Sequence, residues 1–318
     1  MNKDSTLYWS TLSSYENCPQ QFLWGKGWDG IDLGNGPGKA KDRPPQTSSH
    51  HALMGIVIQA VIEKMYNEEM YRDPANLTQN LLISVEREWV RQERKPRNVI
   101  DYSEARMSRE EMLQVCRDGV TGYLKTMKAH KFLGPYARAE VDLVGSLDKY
   151  TKVGGRPDVI IRRDDTGVTI LDGKNSKQKA KYLDPDQLRW YALLFKLHYK
   201  ELPARLGFVM YRFPYGMNSV DEHGAPVVES GVDWIPFTHD DLKGLAQRAV
   251  DAKKAMWREK FDPRPSPEGC KFCDFEKVCP ARISQRVENA GKHGKRESAT
   301  VEEITQSKSE SGFTDLLL

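Results

Sequence analysis

Apolar residues recur every three or four positions over residues 52–72. Met54, Val57, Ile58, Val61, Ile62 and Met65 fall on one face and predict an amphipathic helix. Gly55, Gln59 and Glu63 make a second stripe on that helix at four-residue spacing. Residues 77–94 and 104–131 read as two further helices. In the second, Leu113, Cys116, Val120, Tyr123, Leu124 and Met127 form the apolar stripe, so Cys116 reads as a small core side chain. The pattern then shortens to strand-like runs at 139–147, 155–163 and 167–174, broken by Gly, Asp and Lys. A helix is predicted over 185–200 and strands over 206–213 and 232–237, with Thr238 and Asp241 capping a helix that runs to about residue 260. Upstream, residues 5–24 begin as a short helix, and residues 25–50, rich in Gly, Pro, Lys and Asp, read as a flexible loop. This order predicts an α/β fold with a central mixed β-sheet flanked by helices. From residue 283 the chain is polar and aperiodic as far as SGFTDLLL. Its Phe313, Leu316, Leu317 and Leu318 offer a docking motif on an otherwise disordered tail.

Composition narrows the class. The 318 residues are 39% hydrophobic and 29% charged, which supports a core without covalent staples. The 48 basic and 45 acidic residues leave a net charge of +3, which excludes a histone-like polycation but not a local basic groove. No apolar run reaches the roughly 18 residues of a membrane span, and MNKDSTLYWS lacks the apolar centre of a secretory signal. The expectation is a cytoplasmic protein with no membrane partner.

Three of the five cysteines, Cys270, Cys273 and Cys279, fall within ten residues. Disulfides are disfavoured in a reducing cytoplasm, and thiolates grouped this closely commonly share a metal. Cys18, followed like Cys279 by a proline, is the candidate fourth ligand. Zinc and an iron–sulfur cluster both fit the spacing. Either would tie together two ends of the chain.

Candidate chemistry lies between Gly155 and Lys174. A turn at Asp164–Gly167 joins two strands, so Asp158 at the start of the first and Asp172 near the end of the second come close together. Carboxylates beside apolar strand residues are expensive to bury unless a cation holds them, and oxygen ligands suit Mg2+ or Mn2+. Lys174, two residues after Asp172, shares its face. A metal, a water and an ammonium on one face suit phosphodiester hydrolysis. Gln187 and Tyr191, at i and i+4 of the following helix, offer hydrogen bonds to a metal-bound water or a phosphate oxygen. Lys177, Lys179 and Lys181 are candidates to line a nucleic-acid channel.

Together these residues resemble the PD-(D/E)XK nuclease superfamily, in particular RecB- and AddB-type nuclease domains and the CRISPR-associated exonucleases of the Cas-four family. The resemblance rests on Ser13-Ser14-Tyr15 with Cys18-Pro19 and Phe22, Gly155-Arg-Pro-Asp158, Leu171-Asp172-Gly173-Lys174, Gln187-x-x-x-Tyr191 and Cys270-x-x-Cys273-x5-Cys279-Pro280. It implies a restriction-endonuclease-like core whose N- and C-terminal segments are joined by a structural 4Fe–4S cluster on Cys18, Cys270, Cys273 and Cys279. It also implies a divalent metal on Asp158, Asp172 and the Gly173 carbonyl, with Lys174 as the catalytic lysine. Glu140, Gln59 and Glu63 are further candidate ligands. The family's Gly-x-x-x-His becomes Gly55-x-x-x-Gln59 here, exchanging an imidazole for a weaker neutral oxygen.

The implied organisation is a cluster-ligand segment at 1–24, the loop at 25–50, a helical region at 51–135, a nuclease core at 136–262, a second cluster-ligand segment at 263–282 and the tail at 283–318. The implied function is a metal-dependent DNA exonuclease of recombination, repair or replication. The alternatives are a catalytically weakened iron–sulfur DNA-binding subunit of a larger complex, or a zinc-stapled structural protein. No G-x-x-x-x-G-K-[ST] loop occurs, so unwinding would come from a partner. A recombinase, annealing protein, helicase or replication protein held by the C-terminal tail would fit.

Overall fold

The computed structural model describes residues 1–2, 4–31, 47–48, 50–95, 99–100, 107–176, 183–221, 223–271 and 273–284. The chain divides into two units: Met1, Ser13–Asp42 and Glu259–Leu318 form the smaller, and Asn2–Leu12 with Arg43–Arg258 the larger. The three lysines Lys177, Lys179 and Lys181, the C-terminal docking motif and most of the 25–50 loop lie outside the described residues.

The first described elements are strand β1 (Leu7–Tyr8), helix α1 (Trp9–Asn17) and helix α2 (Pro19–Lys26). Sequence periodicity predicts one helix here. Instead Cys18 takes an extended conformation (φ −159°, ψ 107°) as the N-cap of α2, and Pro19 starts the new helix where its missing N–H is harmless. In the smaller unit, Tyr15, Phe22, Trp28 and Phe261 pack ring against ring at centroid distances of 5.6–6.2 Å. The Tyr15 hydroxyl donates to the Lys260 carbonyl at 2.7 Å. An aromatic cluster therefore joins the two chain segments of this unit.

The larger unit continues with β2 (Thr47–Ser48), α3 (His50–Asn67), α4 (Leu77–Glu93), β3 (Val99–Ile100) and α5 (Arg109–Ala129). Helix α3 ends before residue 72 because Glu69 adopts a left-handed φ of 51°, and Met70–Arg72 form a 3-10 turn. Ser108 opens α5 with a capping box to Glu111. The strands are β4 (Ala137–Ala139), β5 (Leu143–Ser146), β6 (Lys152–Gly155), β7 (Val159–Arg163) and β8 (Gly167–Lys174). Then come α6 (Pro185–Tyr199), β9 (Arg205–Met210), β10 (Asn218–Val220), β11 (Pro226–Val228), β12 (Val232–Ile235) and α7 (His239–Trp257). Helix α8 (Pro267–Lys271) belongs to the smaller unit.

A mixed sheet of order β12-β9-β8-β7-β4 organises this unit. β8 pairs parallel with β9, and the other neighbours pair antiparallel. The parallel pair follows from the connection: β8 reaches β9 through α6, a crossover rather than a hairpin. Alternate strand residues Val159, Ile161, Leu171 and Val209 join one core with α3, α4 and α5. Residues of the other parity, Ile160, Ile170 and Phe208, are buried on the opposite side, where α6 packs. A smaller sheet of order β1-β6-β5 replaces part of the expected long strands. The Asp148 carboxylate makes the turn between β5 and β6 by accepting from the N–H groups of Tyr150 (2.8 Å) and Thr151 (2.7 Å). The β10–β11 hairpin is a further element that periodicity did not predict. No helix among the described residues is long and apolar enough to cross a membrane.

Cys116 takes the core position its stripe predicts. It is fully buried, and burial pushes its thiol up to about 12. At pH 8 the thiolate fraction is then about 10⁻⁴, far below that of a free cysteine. Alkylation of the native protein should leave Cys116 unmodified until denaturant is added, as read by peptide mass spectrometry. Rapid modification would contradict the core placement.

Candidate active site

The pairing Val159↔Leu171 fixes the site, because one step further along the ladder Asp158 lies opposite Asp172. The Gly173 N–H donates to Asp158 Oδ2 at 2.7 Å, closing the pair. Lys174 leaves the same face as Asp172, and its Nζ lies 2.6 Å from Asp172 Oδ2. The same ammonium donates to Gln187 Oε1 at 2.8 Å. Gln187 Nε2 in turn donates to Asp172 Oδ1 at 3.0 Å and to the Tyr191 hydroxyl at 3.3 Å. Helix α6 can reach across because Asp184 caps it and Pro185 starts it, which sets Gln187 in the first turn over the end of β8.

Burial dominates the electrostatics. Asp158 is pushed well above the usual carboxylate range, first by desolvation and then by the charge of Asp172, against the opposing Gly173 N–H. Burial also raises Asp172, and Lys174 opposes it. Asp172 is 3% exposed. Among the described residues, its Oδ2 has Lys174 at ion-pair distance and no further hydrogen-bond partner. Two desolvated carboxylates facing each other, with Lys174 paired to Asp172, make a demand for further positive charge.

Glu140 joins them from the end of β4. Its N–H donates to the Asp158 carbonyl at 3.1 Å, and its φ of 52° is left-handed. That conformation costs a non-glycine residue about 1 kcal/mol. Its carboxylate is held between Arg156 Nε at 2.5 Å and Gln59 Nε2 at 2.9 Å. Burial raises it, and those two partners offset part of the rise. Gln59 Oε1 accepts from the Tyr211 hydroxyl at 2.8 Å. Gln59 thus bridges Tyr211 and Glu140.

Asp158, Asp172, Gly173, Lys174, Glu140, Gln59 and Glu63 all line one cleft of ≈ 580 Å³, with Arg91, Lys95, Arg156, Asn175 and Tyr211. Gln187 and Tyr191 join through the hydrogen bonds above. Arg156, Asn175 and Tyr211 were not singled out by sequence. Arg156 lies inside the Gly155-Arg-Pro-Asp158 motif, but Tyr211 follows β9 and reaches the cleft only through the parallel β8–β9 pairing.

Among the described residues, no three His, Cys, Asp or Glu side chains converge as they would on a metal ion. The oxygen chemistry of the cleft nevertheless suits Mg2+ or Mn2+. Magnesium takes one or two protein carboxylates and keeps its waters, and Asp158 with Asp172 supply two.

In the smaller unit, Cys18, Cys270, Cys273 and Cys279 line a separate cavity as free thiols. The Arg264 N–H points at Cys18 Sγ (3.5 Å) and the Ser266 N–H at Cys270 Sγ (3.4 Å), contacts of the kind that surround metal thiolates. Burial raises the Cys273 thiol, with Cys18 and Cys270 adding to the rise, so these sulfurs are neighbours. Their donor type fits a soft metal. Among the described residues they share a cavity without converging as a closed ligand set.

A family model described as the PD-(D/E)XK nuclease superfamily matches residues 8–280. A solved structure titled "Crystal structure of SSO0001" is similar at 18% identity, covering 76% of this chain and 88% of that chain with a TM-score of 0.33. No curated protein matches the chain.

Proposed function

Because the chain belongs to the PD-(D/E)XK nuclease superfamily, we propose that the cleft on β7 and β8 is the active site of a divalent-metal-dependent nuclease acting on DNA. The observation that carries this reading is the pairing of half-buried Asp158 with buried Asp172, with Lys174 on the face of Asp172. Asp158 and Asp172 would hold the ion, with the Gly173 carbonyl and Glu140 beside them. The bound metal supplies a more acidic water and stabilises charge on a phosphoryl oxygen. Lys174 sits where it can orient the nucleophile or face the charge that builds on the phosphorus oxygens. Gln187 fixes the direction of that ammonium, and Tyr191 supports Gln187. Gln59 and Tyr211 hold Glu140 in place.

The experiment is digestion of end-labelled single- and double-stranded DNA, and of closed circular DNA, with Mg2+, Mn2+ or chelator. Metal-dependent release of nucleotides from ends, with circles resistant, is the result expected of an exonuclease of recombination, repair or replication. Cutting of circles would make it an endonuclease. No cleavage with any metal would favour the binding-subunit alternative.

The finer assignment to the iron–sulfur branch is also part of the proposal. Four cysteines lining one cavity, two of them receiving backbone N–H groups, support a 4Fe–4S cluster. Protein purified without oxygen should absorb near 400 nm and contain iron and sulfide, and Cys273→Ser should lose both signals. Stoichiometric zinc without that absorbance would replace this assignment with the zinc staple. The C-terminal tail is proposed as the attachment point for a recombination or replication partner.

A further inference from the structure

A second pocket, of ≈ 400 Å³, shares no lining residue with the catalytic cleft. Its chemistry comes from two elements. Helix α7 supplies Lys254 and Trp257 at i and i+3 in its last turn, and Arg258 is its C-cap residue. The β5–β6 turn supplies Tyr150, which Asp148 holds in place through the N–H groups of residues 150 and 151. Tyr150 is 55% exposed. Its ring meets that of Trp257 edge to face at 5.1 Å and 74°, and the exposed remainder of the ring is accessible to a ligand. Lys149 Nζ lies 5.4 Å from that ring, and Lys254 and Arg258 are exposed. Trp257 Nε1 is a buried donor with no hydrogen-bond partner among the described residues. A buried indole N–H ordinarily finds an acceptor.

We propose that this pocket binds an unpaired nucleotide of a single-stranded nucleic acid, with the base stacked on Tyr150 and the backbone phosphates on Lys254 and Arg258. An open aromatic face beside cations is how sequence-tolerant single-strand binding works, whereas the bases of a duplex are stacked on one another and unavailable. The pocket is within reach of the catalytic cleft. Seven steps of chain lead from Thr151 to Asp158, so their Cα atoms are at most about 25 Å apart, a span of a few nucleotides. A strand of that length is enough to span the distance between them. The ligand class goes beyond the nuclease reading and is measured without cleavage.

The test uses full-length protein with Asp172→Asn in chelator, titrated with fluorescein-labelled oligodeoxythymidine and followed by anisotropy. Adding Tyr150→Ala should weaken binding roughly tenfold, and Tyr150→Phe should not. An abasic strand should bind the parent as weakly and be indifferent to Tyr150→Ala. Blunt duplex should bind both proteins equally. An oligonucleotide bearing 5-iododeoxyuridine should crosslink to the peptide containing Tyr150 or to that containing Trp257. Unchanged single-strand affinity in Tyr150→Ala overturns the proposal. So does a loss that is equal for single strand, abasic strand and duplex on Lys254→Glu with none on Tyr150→Ala, since that describes a basic patch without stacking.

Discussion

Asp172→Asn and Lys174→Ala should each lower metal-dependent cleavage by roughly 10²–10³-fold or more, the loss expected when a preorganised charge is removed from a dry site. The two differ in a second readout. Asp172→Asn removes a metal-facing carboxylate and should weaken Mn2+ binding measured by calorimetry. Lys174→Ala removes the cation 2.6 Å from Asp172 and should leave Mn2+ binding intact or tighter. Lys174 also opposes the upward shift of Asp172, so in Lys174→Ala that carboxyl rises further. An acid raised in the folded state contributes stability that is present below its unfolded pKa and lost as pH rises through the folded value. The metal-free Lys174→Ala protein should therefore lose more melting temperature between acidic and mildly alkaline pH than the parent, and added Mn2+ should cancel the difference. Equal loss of metal binding in both variants would place Lys174 among the structural supports of the pair rather than beside the reacting phosphate.

The parts of this site that could be read from sequence are those governed by local period. Asp158, Asp172 and Lys174 were legible because the Asp164–Gly167 turn sets the register and a two-residue step preserves the face. Gln187 and Tyr191 were legible as an i, i+4 pair on a capped helix. Tyr211 was not, since only the β8–α6–β9 crossover brings it to Gly173. Nor was the setting of Glu140 legible, which depends on a left-handed backbone that no propensity favours for glutamate. The β5–β6 hairpin was hidden for another reason. Gly145, Gly154 and Gly155 dilute its alternation, yet each sits against a neighbour that a Cβ would press on: Leu197, Thr6 and Leu194, respectively. The cysteines show the limit from the other side. Their clustering announced a shared environment, but whether the sulfurs close around a metal is a matter of angstroms that spacing does not encode.

Gly173→Ala should be among the most damaging conservative changes in the chain. Gly173 is not one of the glycines with positive φ, so backbone freedom is not what the position requires. It requires space, because a Cβ would collide with the hydroxyl end of Tyr211. A flexible neighbour could swing aside, but Tyr211 is 3% exposed, packs edge-on against Tyr123 at 5.9 Å and donates to Gln59. Displacing it breaks the Tyr211–Gln59–Glu140 chain and strains the strand whose N–H holds Asp158. Overpacking of this kind costs about 1–3 kcal/mol, measurable by urea denaturation, and cleavage should fall by more than the folded fraction does. Tyr211→Leu supplies the control. If the collision is the cause, the two changes are coupled and Gly173→Ala costs under about 0.5 kcal/mol in the Tyr211→Leu background. If the full penalty persists there, glycine is needed at 173 for something other than the room Tyr211 occupies.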